Sequence, residues 1–70
     1  MTNLKRIRKE NKLSQSKLSE LSGVNLRTLQ DYEQGHKDIN GASALTVYKL
    51  ARALGVKMEN IIEIKKEVEE

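Results

Sequence analysis

Apolar residues along this chain recur at helical spacing and do not alternate as they would in a strand. Leu4 and Ile7, Leu18 and Leu21, and Leu29 and Tyr32 stand three apart, and Val47, Leu50, Ala51 and Leu54 form a longer stripe. One punctuation pattern repeats: an apolar residue, a residue at the capping position, three residues, and another apolar residue. Leu13-Ser14 with Leu18, Val24-Asn25 with Leu29, and Ile39-Asn40 with Ala44 fit an N-cap joined to a hydrophobic staple. Val56-Lys57 with Ile61 has the staple and a poor cap, and Thr2 can cap a first helix. Gly23, Gly35 and Gly55 each follow an apolar run and supply the left-handed residue at which helices end, a task Asn11 can perform less well.

These signals predict an all-α chain of five helices, over residues 3–10, 15–22, 26–34, 41–54 and 58–64 or beyond. The stripes are expected to form the core, together with Ile61, Ile62, Met58 and both tyrosines, Tyr32 and Tyr48. Linkers are short throughout, which suits a compact bundle with steep crossings. Residues 1–70 are read as one domain, since separate cores arise only in much longer chains. Residues 65–70 read as a frayed, solvated tail, or else as an extension of helix five with Ile61, Ile64 and Val68 on one face.

Composition narrows the classes of function. Cysteine is absent and His36 is the lone histidine, so neither a disulfide framework nor a cysteine or histidine metal site is expected. Catalysis is not expected either, because no nucleophile–base set and no glycine-rich phosphate loop is present, and His36 has no evident catalytic partner. No cofactor is implied. No long apolar run suggests a membrane span, and Lys5, Arg6, Arg8 and Lys9 break up the N-terminus, so the chain is read as cytoplasmic. Net charge is +3 and uneven: residues 1–37 carry eight Lys/Arg against four Asp/Glu, residues 38–70 five against six. A basic first half is the pattern expected of a polyanion binder.

The second and third helices are joined by Gly23-Val24-Asn25 alone. Two short helices linked so tightly must cross steeply, the arrangement of a helix-turn-helix. In that arrangement the second helix offers its N-terminal residues to the major groove of a DNA duplex.

From Leu4 to about Ile62 the chain resembles the phage-repressor class of helix-turn-helix domains, the Xre family. The stretch LKRIRKENKLSQSKLSELSGVNLRTLQDYEQG carries that family's Ser-Gln helix start, Gly-Val turn and Glu-x-Gly ending, and TVYKLARALGV its fourth helix. The resemblance implies a lambda-repressor-like five-helix bundle with a helix-turn-helix unit at about 15–34. It also implies sequence-specific binding to double-stranded DNA with helix 26–34 in the major groove, as a homodimer at least on DNA. Transcriptional repression by promoter occlusion is the expected role, since a short chain has little surface for recruiting polymerase. An antitoxin or mobile-element regulator is an alternative, and so is a protein-interaction module built on the same bundle.

By the same resemblance, Leu26, Arg27 and Asp31, with Gln30 flanking, match positions that face bases. Arg27 can bond a guanine or grip a phosphate, and Leu26 can meet a thymine methyl. Asp31 can accept from a cytosine amino group or pair with Arg27 four residues earlier. Ser14, Gln15, Lys17, Asn25, Thr28 and Lys37 match or lie near the phosphate path, and a helix start such as Ser14-Gln15 is a natural anion site. Arg8 and Glu33 match a structural ion pair between the first and third helices. The sequence departs from common family usage at Lys12, where glycine is frequent, at Lys17, where glutamate is frequent, and at Lys57, where a better cap is usual.

Overall fold

Five α-helices follow one another in the computed structural model, which describes residues 2–63: α1 (Asn3–Glu10), α2 (Gln15–Ser22), α3 (Leu26–Gln34), α4 (Ala44–Leu54) and α5 (Met58–Ile61). A short 3-10 turn, Ile39–Gly41, lies between α3 and α4. The fold is all-α, with no strand among the described residues. No helix among them is long and apolar enough to cross a membrane.

Local chemistry sets the helix starts. The Thr2, Ser14, Asn25 and Ser43 side chains each accept from a backbone N–H in the first turn of α1 to α4, while Lys57 offers α5 no such bond. The residues of three expected staples all join the core: Val24, Leu29, Leu18 and Ile61 are buried in it, and Leu13 and Val56 pack against it. The core gathers Leu4 and Ile7 from α1, Leu18 from α2, Leu29 from α3, Val47, Leu50, Ala51 and Leu54 from α4, and Ile61 from α5, with Val24 and Ile39 from the connections. The long helix α4 packs on α2 and α5, and α1 bridges α5 and α3. So short a chain needs every one of these faces, because a domain of this size buries only about 60% of its unfolded surface.

Four expectations are corrected. Helix four begins at Ala44 and not at residue 41. Asn40 is drawn into the 3-10 turn capped by Asp38, and Ser43 caps α4 with Ala42 and Val47 as its staple pair. Val47 is a larger apolar anchor than Ala44, so the later start buries more surface.

Helix five stops at Ile61, and Ile62 is extended. Two bonds hold Glu63 to Asn40, whose Nδ2 donates to its carbonyl (2.7 Å) and whose Oδ1 accepts from its N–H (2.8 Å). Asn3 completes the clamp, donating its backbone N–H to Glu63 Oε2 (2.6 Å) and its side-chain amide to the Ile62 carbonyl (3.0 Å). The expected helix through residue 64 is thus broken at Ile62 and Glu63, while the stripe with Ile64 and Val68 and the tail at 65–70 lie outside the described residues.

Leu21, Tyr48 and Met58 are not core residues: they are 53%, 45% and 37% exposed. Helix α2 turns Ser19 and Ser22 inward in place of Leu21, because the turn that follows needs their hydroxyls. Tyr48 lies beside Arg52, which donates to its hydroxyl (2.8 Å).

The left-handed residue after α1 is Lys12 (φ 58°), while Asn11 keeps φ −87°. The Lys12 N–H donates to the Lys9 carbonyl (2.9 Å) and the Leu13 N–H to that of Arg8 (3.2 Å). This is a complete Schellman ending with a lysine where glycine would be free of strain.

Candidate nucleic-acid interface

Helix α3 is aimed by the turn before it. Gly23 takes the left-handed conformation (φ 79°) and donates to the Ser19 carbonyl (2.9 Å). The Ser19 hydroxyl donates to the Val24 carbonyl, and the Ser22 hydroxyl accepts from the Val24 N–H (3.1 Å). With Val24 buried and its backbone bonded on both sides, the angle between α2 and α3 is over-determined. Asn25 then caps α3, its Oδ1 accepting from the Arg27 N–H (2.8 Å) and the Thr28 N–H (3.3 Å).

This anchoring decides which side chains remain outside. Leu29 and Glu33 are buried and Tyr32 packs on the core, so Arg27, Asp31 and Gln34 fall on the opposite side, with Gln30 and the partly exposed Leu26 on the flank between the two. Arg27 is 81% exposed in its side chain and Asp31 15%; Arg27 Nε and Asp31 Oδ1 pair at 3.4 Å. His36 Nδ1 stands 3.6 Å from the same oxygen. The pairing alternative for Asp31 is therefore the geometry present, as an i, i+4 contact. The Asp31 backbone carbonyl also accepts from the N–H groups of His36 (2.9 Å) and Lys37 (3.2 Å). Those bonds fold the chain back after Gly35 and leave the Lys37 side chain exposed.

Beside α3 lies the start of α2. Ser14 Oγ accepts from the Lys17 N–H (3.0 Å), which leaves its own O–H free to donate. Lys17 is exposed, with Nζ 3.6 Å from Glu20. Asn25 spends its oxygen on the cap and keeps its amino group. Thr28 is half-buried on the far flank.

Behind both helix starts sits a polar cluster. Arg8 Nε and Nη2 bond the two carboxylate oxygens of Glu33 (2.7 and 2.9 Å), and Nη1 donates to the Leu13 carbonyl (2.7 Å). Gln15 Nε2 donates to Glu33 Oε1 (3.0 Å), and Gln30 Nε2 donates to Gln15 Oε1 (3.3 Å). No buried side-chain nitrogen or oxygen is left without a partner among the described residues. Sequence reasoning reached the Arg8–Glu33 pair but not the two glutamines that extend it. Gln15 and Gln30 are 15 residues apart on different helices, and no local spacing announces their contact.

The family model described as Helix-turn-helix matches residues 4–61 of the chain. No curated protein and no solved structure matches it significantly.

Proposed function

The chain belongs to this helix-turn-helix family, a class of DNA-binding transcription regulators, and we propose that it binds double-stranded DNA sequence-specifically with α3 in the major groove. What carries the reading is the juxtaposition of two helix starts: Ser14 and Gln15 open α2 beside the outward Leu26, Arg27 and Asp31 of α3. Ser14, Lys17, Asn25, Thr28 and Lys37 supply neutral or cationic donors for phosphate, as does the positive end of the α2 dipole. Leu26 meets a thymine methyl, and Arg27 presents its fork to a guanine edge. Such contacts fix register through the backbone and preference through the bases.

One domain covers one half-site, so specific binding uses a homodimer on DNA, with half-sites about 34 Å apart. Leu45, Tyr48 and Met58 are exposed on α4 and α5, elements that do not form the reading face, and are available for that contact. Occupying a promoter is enough to block transcription, so repression by occlusion is the regulatory role that follows, exercised in the cytoplasm.

The test is fluorescence anisotropy with random-sequence duplex DNA across a salt series. Each phosphate neutralised contributes about −0.9 to the slope of log K against log salt. A steep negative slope supports the reading. Absence of binding at low salt, or binding indifferent to salt, overturns it and favours a protein partner for α3.

A further inference from the structure

Two side chains converge on one oxygen of Asp31, and from their geometry we infer that His36 is a positioning residue for Arg27. While the imidazole is neutral, Asp31 holds the guanidinium for base reading; once protonated, His36 draws the carboxylate to itself and releases Arg27 to the DNA backbone. The inference rests on the proposed DNA binding and adds a dependence on pH to it.

Asp31 Oδ1 is 3.4 Å from Arg27 Nε and 3.6 Å from His36 Nδ1. The two approaches differ in how they are held. Arg27 reaches along one helical turn on a side chain that is 81% exposed, and Asp31 is its one side-chain partner among the described residues. His36 is placed by the backbone. Gly35 ends α3 in the left-handed conformation (φ 83°), and the His36 N–H donates to the carbonyl of Asp31 itself (2.9 Å). The residue therefore stays beside that carboxylate whatever its charge.

At 3.6 Å a neutral imidazole makes no hydrogen bond, whereas an imidazolium in the same place is an ion-pair partner. Histidine is the side chain that ordinarily changes charge between about pH 5 and 8. Its charged chain neighbours are Lys37 and Asp38, which with Glu63 line a cavity that His36 does not line. Among the described residues, Asp31 alone lies within ion-pairing reach of the ring.

What Arg27 can do depends on which group Asp31 serves. Bonded through Nε alone, the arginine keeps both terminal nitrogens for the O6 and N7 acceptors of guanine, with the fork steadied from behind. Released, and repelled by the new charge on His36, it is a mobile cation that phosphate satisfies as well as any base does. Phosphate contacts carry no sequence information. Acidification thus exchanges base preference for general affinity, through a residue that need not touch a base.

The experiment selects duplexes from a pool randomised over the half-site, at about pH 8 and about pH 5.5. It uses the full chain and the variants Arg27→Ala, His36→Gln, His36→Lys and Asp31→Asn, with circular dichroism melts at both values to check folding. Arg27→Ala identifies the position whose guanine preference the arginine supplies. There the unmodified chain is expected to prefer guanine about tenfold at the higher pH and about threefold at the lower, since an exposed ion pair is worth only a few-fold. His36→Gln should keep the full preference at both values, and His36→Lys, charged at both, should keep the reduced one. Asp31→Asn should give a preference that does not change with pH. Overall affinity does not set these ratios, so a histidine that merely touched phosphate would leave them alone while tightening every duplex alike in acid.

A guanine preference that is the same at both pH values in the unmodified chain, that still shifts in His36→Gln or Asp31→Asn, or that stays full in His36→Lys overturns the inference while DNA binding stands. So does a failure of Arg27→Ala to remove guanine preference at any position. If no duplex is enriched at either pH, the reading of the site as a DNA interface fails and this inference with it.

Discussion

Arg8 on α1 and Glu33 on α3 meet through two parallel hydrogen bonds of 2.7 and 2.9 Å, and the Glu33 side chain is almost wholly removed from water. Removing either partner strands a buried charge. Arg8→Ala or Glu33→Ala should lower the unfolding free energy by about 3 to 5 kcal/mol, measured by urea denaturation. Replacing both with apolar residues of similar size should cost far less than the two single changes summed. Additive losses would show that the pair is uncoupled.

Lys12 predicts a gain. Its φ of 58° is unfavourable for a residue with a Cβ by about 1 to 2 kcal/mol, while glycine gives back about 0.4 to 1 kcal/mol through the greater freedom of the unfolded chain. Lys12→Gly should therefore stabilise by about 0.5 to 1 kcal/mol. A denaturation midpoint that falls would show that the lysine side chain contributes packing which outweighs the backbone strain.

Asp31 separates attraction from repulsion on the reading face. Paired with Arg27 at 3.4 Å, it restrains that guanidinium, and under the proposed function it places a negative charge beside the DNA backbone. Asp31→Asn should tighten binding to random duplex DNA in anisotropy titrations. Unchanged affinity would mean that Asp31 does not approach DNA.

Arg27→Ala distinguishes the two uses of the arginine. A base-reading fork should lose about 1 to 3 kcal/mol on the preferred site with relaxed choice at one base pair. A phosphate grip should weaken all duplexes alike and make the salt slope shallower by about one.

The clamp at residue 63 is testable without DNA. Asn40→Ala removes both of its bonds to the Glu63 backbone and should cost about 1 to 2 kcal/mol in urea denaturation. No loss would indicate that Asn3 alone holds this end.

Short-range chemistry made most of the fold legible beforehand. The two residues of a staple are five apart, as in Val24 and Leu29, and the contact of Arg27 with Asp31 is a single helical turn. The start of α4 was misplaced because Asn40 and Ser43 are both competent caps, and only the depth available to Val47 over Ala44 decides between them. Leu21 illustrates a different limit: helical spacing identifies an apolar stripe but not the neighbour that will cover it, and here two serines took the inward side to satisfy the Val24 backbone. The link from Glu33 through Gln15 to Gln30 was illegible for a third reason, since it exists only once three helices have met.

The polar cluster divides the proposed reading face into parts with different evolutionary freedom. Arg27 and Gln34 project from α3 without supporting the core, so a drifting lineage can exchange them and acquire a new target while the bundle stays as stable as before. Glu33 has no such liberty, because it binds Arg8 and Gln15 together. Substitution there is felt first as a loss of foldedness, so that flank of the face should be inherited nearly unchanged while its neighbours diversify.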